Sequence, residues 1–259
     1  MKLLVVGSGG REHAIIKSLK KNPGVTEIFA LPGNGGIAQD AVCVPIAATD
    51  LQAIAAFARE KGIDYAVVAP DDPLVLGCVD VLQEAGIPCF GPKKNAAIIE
   101  GSKAFSKDLM KKYNIPTASY ETFTDLAEAL AYLDTQDAPI VVKADGLALG
   151  KGVIIAQTRQ EAKAAVTDMM ANAKFGASGS TVVIEEFLTG PEVSVLAFTD
   201  GKTLKPMVSS MDHKRALDGD QGLNTGGMGT VAPNPYYTDT VAQQCMDTIF
   251  LPTIRAMAQ

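Results

Sequence analysis

The sequence predicts an α/β protein whose N-terminal part is a doubly wound parallel sheet and whose remainder is α+β. In residues 1–90, short apolar runs of strand length alternate with amphipathic helical stretches, a pattern typical of a parallel sheet with crossover helices. Further along, apolar runs occur in pairs joined by glycine-containing loops, as in antiparallel hairpins. Hydrophobic residues make up 47% of the 259 residues and charged residues 20%, so the chain can form a substantial core.

Charge and hydropathy exclude two classes of partner. The net charge of -6 argues against nonspecific nucleic-acid binding, because phosphate backbones attract basic surfaces. The first apolar run is too short for a signal peptide, and no run approaches the roughly 18 to 20 apolar residues that a membrane helix needs. We therefore expect a cytoplasmic protein that binds neither nucleic acid nor membranes.

The first glycine-rich loop follows a predicted buried strand, Lys2 to Val6, and precedes a predicted helix from His13 to Lys20. A glycine turn in this place puts backbone N–H groups at a helix N-terminus, where anions bind. A dinucleotide fingerprint would require glycine at the position of Glu12, and the acidic residue expected after the second strand is also missing. The pattern favours another phosphate-bearing ligand, with Arg11 as its ionic partner.

Two more loops follow predicted strands. The strand Thr26–Leu31 precedes the loop PGNGG, and the strand Ile63–Ala69 precedes PDDP. Asp71 and Asp72 therefore stand where open α/β sheets bind ligands, beyond the carboxyl ends of the strands. The alternative is that one of these aspartates only caps a helix. The run Ile87–Phe90 is the fourth predicted strand of this domain.

Capping patterns predict the helices. Asp50 is expected to cap the helix Leu51–Lys61. Thr158, with Glu161 completing a capping box, is expected to begin the helix that ends at Ala173. The other predicted helices are 93–113, interrupted at Gly101, then 125–133 and 238–259.

A further glycine-rich loop, KADGLALGKG, lies between the apolar runs Pro139–Val142 and Gly152–Ala156. Successive exposed N–H groups in such a loop form an anion-binding concavity. Lys143 and Lys151 flank the loop and add positive charge suited to phosphate. The pattern predicts a flap over a nucleoside triphosphate, and the alternative is an ordinary hairpin with surface lysines.

The predicted strand Thr181–Ile184 ends in the sequence EEFL. Acidic residues that leave a buried strand are either hinge residues or contacts to adenine, whose amine a backbone carbonyl can bind. Glu192 is placed to accept from ribose hydroxyls. Lys103 is either a solvated helix lysine or a ligand of the nucleotide.

A predicted hairpin around Asp200 leads into the long polar loop Ser209–Gly229. Long loops of this kind are usually functional, and the glycine-rich end of this one indicates backbone close to a ligand. His213 and His13 show no metal-ligand spacing, and no motif for a covalent nucleophile occurs.

These motifs together carry a family resemblance. GSGGREHA, PGNGG, FGP, EGSKAFSKD, IPTASY, VVKADGLALGKGV, VIEEFLTGPEVS, DHKRA and NTGGMG occur in this order. The chain resembles the N-terminal part of the phosphoribosylamine–glycine ligase (glycinamide ribonucleotide synthetase) family of ATP-grasp enzymes. The resemblance implies a pre-ATP-grasp domain at 1–102, an ATP-grasp region with a small flap lobe at 103–190, and a larger, incomplete lobe at 191–259.

The resemblance also implies a reaction. ATP phosphorylates the carboxylate of glycine, and the amine of 5-phosphoribosylamine attacks the acyl phosphate, giving glycinamide ribonucleotide, ADP and phosphate in purine biosynthesis. Phosphoryl transfer depends on positioning and charge neutralisation, which fits lysines, loop amides and carboxylates without a nucleophile. The implied partners are ATP, glycine and 5-phosphoribosylamine, and the implied parent protein is a monomer.

The resemblance assigns three groups of site residues. Those expected to bind ATP are Lys103, Lys143, Gly146, Gly150, Lys151, Gly152, Glu185, Glu186, Phe187, Leu188 and Glu192. Those expected to bind the other substrates are Gly9, Gly10, Arg11, Glu12, Asn34, Gly36, Asp71, Asn224, Thr225, Gly226 and Gly227. Those expected to be catalytic are Asp212, His213 and Lys214. Asp71 departs from the family, which has glutamate there.

The family's metal ligands are absent from this sequence. The resemblance implies Mg²⁺ or Mn²⁺ held by an E-x-N stretch on later strands. The acids after Arg215 lie in no such motif: they are Asp218, Asp220, Asp239 and Asp247. We therefore expect a fragment that is inactive alone. The alternatives are a nucleotide- or substrate-binding fragment without catalysis, and another carboxylate–amine ATP-grasp ligase.

Overall fold

The computed structural model describes residues 1–147, 152–172, 179–219 and 221–259. The chain divides into two compact units, Met1–Ser102 and Lys103–Gln259. In the described part of the chain, no helix is long and apolar enough to cross a membrane. The further division of the second unit at residue 190 stays a prediction.

The first unit is a five-stranded parallel sheet flanked by helices on both faces. Its strands are β1 (Lys2–Gly7), β2 (Glu27–Pro32), β3 (Val42–Cys43), β4 (Tyr65–Val68) and β5 (Cys89–Phe90). Its helices are α1 (Gly10–Leu19), α2 (Leu51–Lys61), α3 (Asp71–Leu76), α4 (Cys78–Glu84) and α5 (Lys94–Gly101). The strand order β3-β2-β1-β4-β5 confirms the predicted doubly wound architecture.

Alternate residues of β1 enter two cores. Leu4 and Val6 pack with side chains of α2 and α4 on one face of the sheet. Leu3 and Val5 pack on the other face, together with Ile16 of α1. The strand is therefore apolar along its whole length, because both of its faces are covered.

The structure corrects three local predictions in this unit. Helix α1 begins at Gly10 rather than His13, because the Glu12 carboxylate accepts a hydrogen bond from the backbone N–H of Gly9 and caps the helix earlier. Strand β3 was not predicted, since two residues carry too little periodicity. Pro70 is the N-cap of α3, so Asp71 lies inside the first turn rather than at the cap. The predicted helix α2 and its cap Asp50 are confirmed.

The second unit contains a four-stranded antiparallel sheet with the order β6-β9-β7-β8. The strands are β6 (Tyr120–Phe123), β7 (Ile140–Ala144), β8 (Val153–Ala156) and β9 (Val182–Glu186). The helices before and between them are α6 (Lys103–Lys112), α7 (Leu126–Leu133) and α8 (Arg159–Met170). The predicted capping box of α8 is present, with Thr158 accepting from the N–H of Glu161.

The two faces of this sheet differ. Ile140, Val142 and Ala144 of β7 pack with α7 and α8 in an apolar core. Since side chains alternate along a strand, Lys143 lies on the opposite face. Glu185 of β9 lies on that face too, because its neighbour Ile184 belongs to the core.

Beyond β9 the chain forms short hairpins and a C-terminal helical segment. The strands are β10 (Ala197–Thr199), β11 (Leu204–Pro206), β12 (Met211–Asp212), β13 (Arg215–Leu217), β14 (Gln221–Asn224) and β15 (Thr230–Val231). The helices are α9 (Asp239–Cys245), a π-helical turn (Met246–Phe250) and α10 (Leu251–Met257). The predicted polar loop at 209–229 is therefore partly ordered as strands, because β13 pairs with β14 and β12 with β15.

Candidate functional site

In the first unit, the loops that follow β1, β2 and β4 meet at one edge of the sheet. Strand β1 lies between β2 and β4, so the carboxyl ends of all three point the same way. The N–H of Gly33 donates to the carbonyl of Gly7 at 3.1 Å. The Asn34 side chain donates to the carbonyl of Ser8 at 2.6 Å. These bonds hold the first two loops together.

Asn34 also shapes its own loop. Its side-chain oxygen accepts from the N–H groups of Gly36 at 2.8 Å and Ile37 at 2.9 Å. A Cβ atom on Gly36 would lie 3.4 Å from Nδ1 of His13, so this loop packs tightly against α1. The predicted residues Asn34 and Gly36 therefore shape the loop that follows β2, at the edge of the sheet where the loops meet.

Glu12 is the buried acid of this edge. The residue is only 3% exposed, and its Oε2 accepts from the N–H of Gly9. Within the described residues, Oε1 is buried without a hydrogen-bond partner. A buried acceptor in this state favours a ligand that donates a hydrogen bond, such as a hydroxyl or amine. Arg11, beside it on the first turn of α1, is exposed.

Three charged or ionisable side chains, His13, Lys20 and Asp40, meet beside α1. His13 Nε2 and Lys20 Nζ each lie 2.8 Å from a carboxylate oxygen of Asp40. The hydrogen bond from Lys20, followed by that from His13, lowers the pKa of Asp40 from 3.8 to about 2. The cluster therefore ties the turn after β2 to α1.

Asp40→Asn is expected to lower the urea midpoint at neutral pH, and this difference should shrink as the pH falls from about 4 to about 2. A carboxyl group whose pKa is lowered in the folded state adds stability above its unfolded pKa of 3.8 and loses it as pH falls through about 2. Urea unfolding followed by circular dichroism at several pH values checks this. Lys20→Met, which removes the main cause of the shift, should reduce the same difference, whereas parallel curves at every pH would contradict the assignment.

In the second unit, three charged side chains meet on the face of the sheet opposite α7 and α8. Lys143 Nζ lies 2.9 Å from Glu185 Oε2, and Lys107 Nζ of α6 lies 3.1 Å from the same oxygen. Glu185 and Lys107 are buried, while the Lys143 side chain keeps 26% of its exposure. Glu185, predicted as an adenine contact, thus lies between two lysines, and Lys143 is the member that reaches solvent.

The start of α6 binds the residues that follow β7. Lys103 Nζ donates to the carbonyl of Gly146 at 2.7 Å, and the N–H of Ala104 donates to Asp145 at 3.1 Å. The carbonyl of Gly152 accepts from the N–H of Ala144 at 2.8 Å. The predicted flap therefore begins and ends next to β7, with Lys103 at its base. The predicted flap residues Gly150 and Lys151 lie outside the described residues.

The hinge predicted after β9 is anchored at one end. Glu186 accepts from the N–H of Ser119 through its side chain and donates its own N–H to the carbonyl of Ser119, both at 3.0 Å. The following residues are solvent-accessible, with Phe187 37% exposed and Leu188 64% exposed. An anchored strand end followed by exposed apolar side chains is suited to hold a flat aromatic base.

The segments DHK and NTGG lie against each other, as their assignment to one loop region requires. The N–H of Thr225 donates to the carbonyl of Lys214 at 2.7 Å, and a Cβ on Gly227 would lie 3.0 Å from Asp212 Oδ1. The N–H of His213 donates to the carbonyl of Gly229. Gly226 is in this turn, and the side chain of Asn224 lies outside the described residues. The predicted ribose contact Glu192 forms an ion pair with Lys214.

Sequence reasoning missed two residues of this unit. Lys107 follows Lys103 by four residues, so both lie on one face of α6, and that spacing was the available signal. Asn234 is 3% exposed and donates to the carbonyls of Glu192 at 2.9 Å and Ser210 at 3.2 Å. No local pattern predicts that its side chain fixes the backbone of Glu192.

The described residues contain no group of three or more His, Cys, Asp or Glu side chains that could hold a metal ion. The donor set for the Mg²⁺ or Mn²⁺ implied by the resemblance is therefore not assembled from them.

The fold of the chain is that of the ATP-grasp class. Its structure superimposes on a biotin carboxylase from Campylobacter jejuni with a TM-score of 0.80 at 13% identity, over 99% of this chain and 59% of the other. It superimposes on phosphoribosylamine–glycine ligase from Thermotoga maritima with a TM-score of 0.83 at 32% identity, over 99% of this chain and 61% of the other. The first similarity concerns the fold alone.

The chain belongs to the phosphoribosylglycinamide synthetase family. Residues 1–100 match the family model "Phosphoribosylglycinamide synthetase, N domain", and residues 101–259 match "Phosphoribosylglycinamide synthetase, ATP-grasp (A) domain". The chain is 51% identical to phosphoribosylamine–glycine ligase from Halalkalibacterium halodurans and 52% identical to that from Vibrio vulnificus, in each case over its whole length. It spans 60% and 61% of the length of these relatives. The predicted family is confirmed.

Proposed function

We propose that this chain supplies the ATP- and phosphoribosylamine-binding parts of a phosphoribosylamine–glycine ligase. In that reaction ATP phosphorylates the carboxylate of glycine, and the amine of 5-phosphoribosylamine displaces phosphate from the acyl phosphate. The products are glycinamide ribonucleotide, ADP and phosphate. Two relatives at 51% and 52% identity carry this name, which supports the proposal.

The observation that carries the proposal is the convergence of lysines around the base of the flap. Lys143 projects from β7, Lys103 reaches Gly146 from α6, and the glycine-rich segment directly follows Lys143 in sequence. Ammonium groups that neutralise the phosphates of ATP, with a loop closing over them, provide what phosphoryl transfer needs. Closure of the flap would also keep water from the acyl phosphate.

The hinge and the ribose contact complete the nucleotide site in this proposal. The adenine ring lies against Phe187 and Leu188, which are exposed next to the anchored Glu186. Glu192 accepts from the ribose hydroxyls, and its ion pair with Lys214 orients it. Asn234 holds the backbone of Glu192 in place.

The substrate residues of the first unit form the phosphoribosylamine site in this proposal. The loops that contain Gly9, Gly10, Asn34 and Gly36 lie at the N-terminus of α1, where a helix favours an anion, and Arg11 adds positive charge. Glu12 Oε1 accepts from a sugar hydroxyl or from the amine. Asp71, on the first turn of α3, follows β4 at the same sheet edge.

The segment of Asp212, His213 and Lys214 is proposed to face glycine and the transferred phosphate. Lys214 contributes positive charge for the phosphoryl group, and the turn from Thr225 to Gly227 packs close to Asp212. A positively charged side chain near a tight glycine turn stabilises the charge that develops on oxygen.

A metal ion is required by ATP-grasp chemistry, but the described residues do not form a site for one. We therefore derive no step through a metal. A second candidate function is nucleotide and substrate binding without turnover. A cytoplasmic location and a monomeric parent protein stay predictions.

Calorimetric titration with a non-hydrolysable ATP analogue tests the proposal. The chain is expected to bind the adenine nucleotide saturably and to bind the guanine counterpart at least tenfold more weakly, because a base-binding hinge discriminates by hydrogen bonding (about 1.4 kcal/mol per tenfold). A coupled assay for ADP release in the presence of glycine and phosphoribosylamine distinguishes the two functions. A ligase releases ADP, whereas a chain that only binds the nucleotide and substrate does not. Absence of saturable binding of either nucleotide would contradict the proposed function.

A further inference from the structure

We propose that Lys107 is a positioning residue for the nucleotide, which acts by holding the Glu185 carboxylate so that Glu185 in turn directs the Lys143 ammonium group. The proposal rests on the nucleotide site described above and adds a residue to it. Lys107 lies within the motif EGSKAFSKD, but the sequence analysis assigned it no role in the site. Its assignment comes from the contacts of its side chain.

The ammonium group of Lys107 has its donors engaged within the protein. Nζ lies 2.7 Å from Thr117 Oγ1, 3.1 Å from Glu185 Oε2 and 3.4 Å from the carbonyl of Ala118. It also lies 5.4 Å from the centre of the Tyr120 ring, a cation–π contact. An ammonium group has three N–H donors, so these contacts leave no donor for a ligand. Any effect of Lys107 on a nucleotide must therefore pass through a neighbour.

Glu185 is that neighbour, because it connects the two lysines. Its Oε2 pairs with both ammonium groups, and the residue is only 6% exposed. A carboxylate buried to this degree is stable only when paired and hydrogen-bonded. Lys107 approaches from α6 and Lys143 from β7, so the carboxylate is fixed from two elements.

The Lys107–Glu185–Lys143 cluster carries a net positive charge, which favours binding of an anion. Two ammonium groups and one carboxylate sum to one positive charge, and Lys143 is the member with solvent exposure. Without Lys107 the carboxylate would neutralise Lys143 alone and would be free to change rotamer. Lys143 would then attract phosphate more weakly and would be less well oriented.

Helix α6 joins this cluster to the base of the flap. Lys103 and Lys107 are four residues apart and lie on one face of the helix. One binds the carbonyl of Gly146, and the other binds Glu185. The helix therefore fixes the two predicted phosphate-binding lysines relative to each other, since Lys103 is part of it and Lys143 is held through Glu185.

A double-mutant cycle tests this role. Affinity for a non-hydrolysable ATP analogue is measured by calorimetry for the wild type, Lys107→Met, Glu185→Gln and the double variant. We expect Lys107→Met to weaken binding on the order of tenfold. In the Glu185→Gln background the same substitution should change affinity by less than about twofold, because the route through Glu185 is then absent.

Two further variants separate positioning from general destabilisation. Lys107→Arg retains the charge and is expected to recover most of the lost affinity. Lys111→Met is the matched control, because Lys111 lies on the same helix and 5.7 Å from the same Tyr120 ring, and it should leave affinity unchanged. Thermal unfolding of each variant checks the fold, and Lys107→Gln replaces Lys107→Met if the latter does not fold.

The results distinguish a failure of the proposed nucleotide-binding function from a failure of the role of Lys107. A wild type that binds no nucleotide would overturn the proposed function and this inference together. A wild type that binds, with Lys107→Met binding equally well, would overturn the inference alone. A tenfold loss that persists in the Glu185→Gln background would show that Lys107 acts independently of Glu185, and it would also overturn the inference.

Discussion

Replacing Lys143 with methionine is expected to weaken binding of an ATP analogue by about 100-fold, since a lost charge-assisted contact to phosphate is worth about 3 kcal/mol. Lys143 is the exposed member of the Lys107–Glu185–Lys143 cluster, and methionine keeps most of its apolar stem. Glu185 keeps Lys107 as its partner in the variant. The thermal midpoint should therefore move much less than the affinity, and calorimetric titration measures the latter.

Lys163→Met is the matched control for this substitution. Lys163 lies on α8 and pairs with Asp134 at 2.6 Å, so it belongs to the other face of the same sheet. Its replacement removes the same charge from the same unit and should leave nucleotide affinity unchanged. Equal losses in the two variants would mean that net charge, rather than the position of Lys143, determines binding.

Gly7→Ala is expected to lower the free energy of unfolding by about 3 kcal/mol, the range typical of overpacking combined with backbone strain. Gly7 has a φ of +130°, which L side chains rarely adopt. An added Cβ would lie 2.5 Å from Glu12 Cγ and 2.9 Å from Pro70 Cγ. The buried Glu12 would have to move, and the cap that it gives α1 through Gly9 would be lost.

Urea unfolding monitored by circular dichroism measures the loss, because the chain contains no tryptophan. Gly10→Ala is the control on the same loop, since a Cβ there meets no atom within 4 Å. Alanine is a better helix former than glycine, so this variant should be unchanged or more stable by up to about 1 kcal/mol. If both alanine variants behaved alike, the packing of Glu12 against Gly7 would not be the cause.

The parts of the fold that local chemistry specifies could be predicted from the sequence. Leu51–Lys61 is a helix with both a capping aspartate and an apolar stripe, and its bounds were predicted correctly. The flap strands were predictable because a glycine-rich loop separates two apolar runs. Family membership followed from the order of motifs rather than from any one of them.

The parts that depend on distant residues could not be predicted. The side chain of Pro70 lies so close to Gly7 that an added Cβ would be 2.9 Å from its Cγ, although the two residues are 63 positions apart in sequence (70 − 7). The pairing of Glu185 with Lys107 joins residues 78 positions apart in sequence. The motif predicts that Glu185 contacts a nucleotide, but only the sheet register shows on which face its carboxylate lies.

Side chains along the five residues of β7 alternate between the apolar core and the opposite face of the sheet. Ile140, Val142 and Ala144 pack in the apolar core, whereas we propose that the intervening Lys143 contacts the nucleotide. We therefore expect substitutions at the first three positions to lower the amount of folded protein, and substitutions at Lys143 to lower its affinity for the nucleotide. Mutational scanning of this strand would therefore show abundance phenotypes at the buried apolar positions and an affinity phenotype at Lys143, so that one short segment reports on folding and on binding.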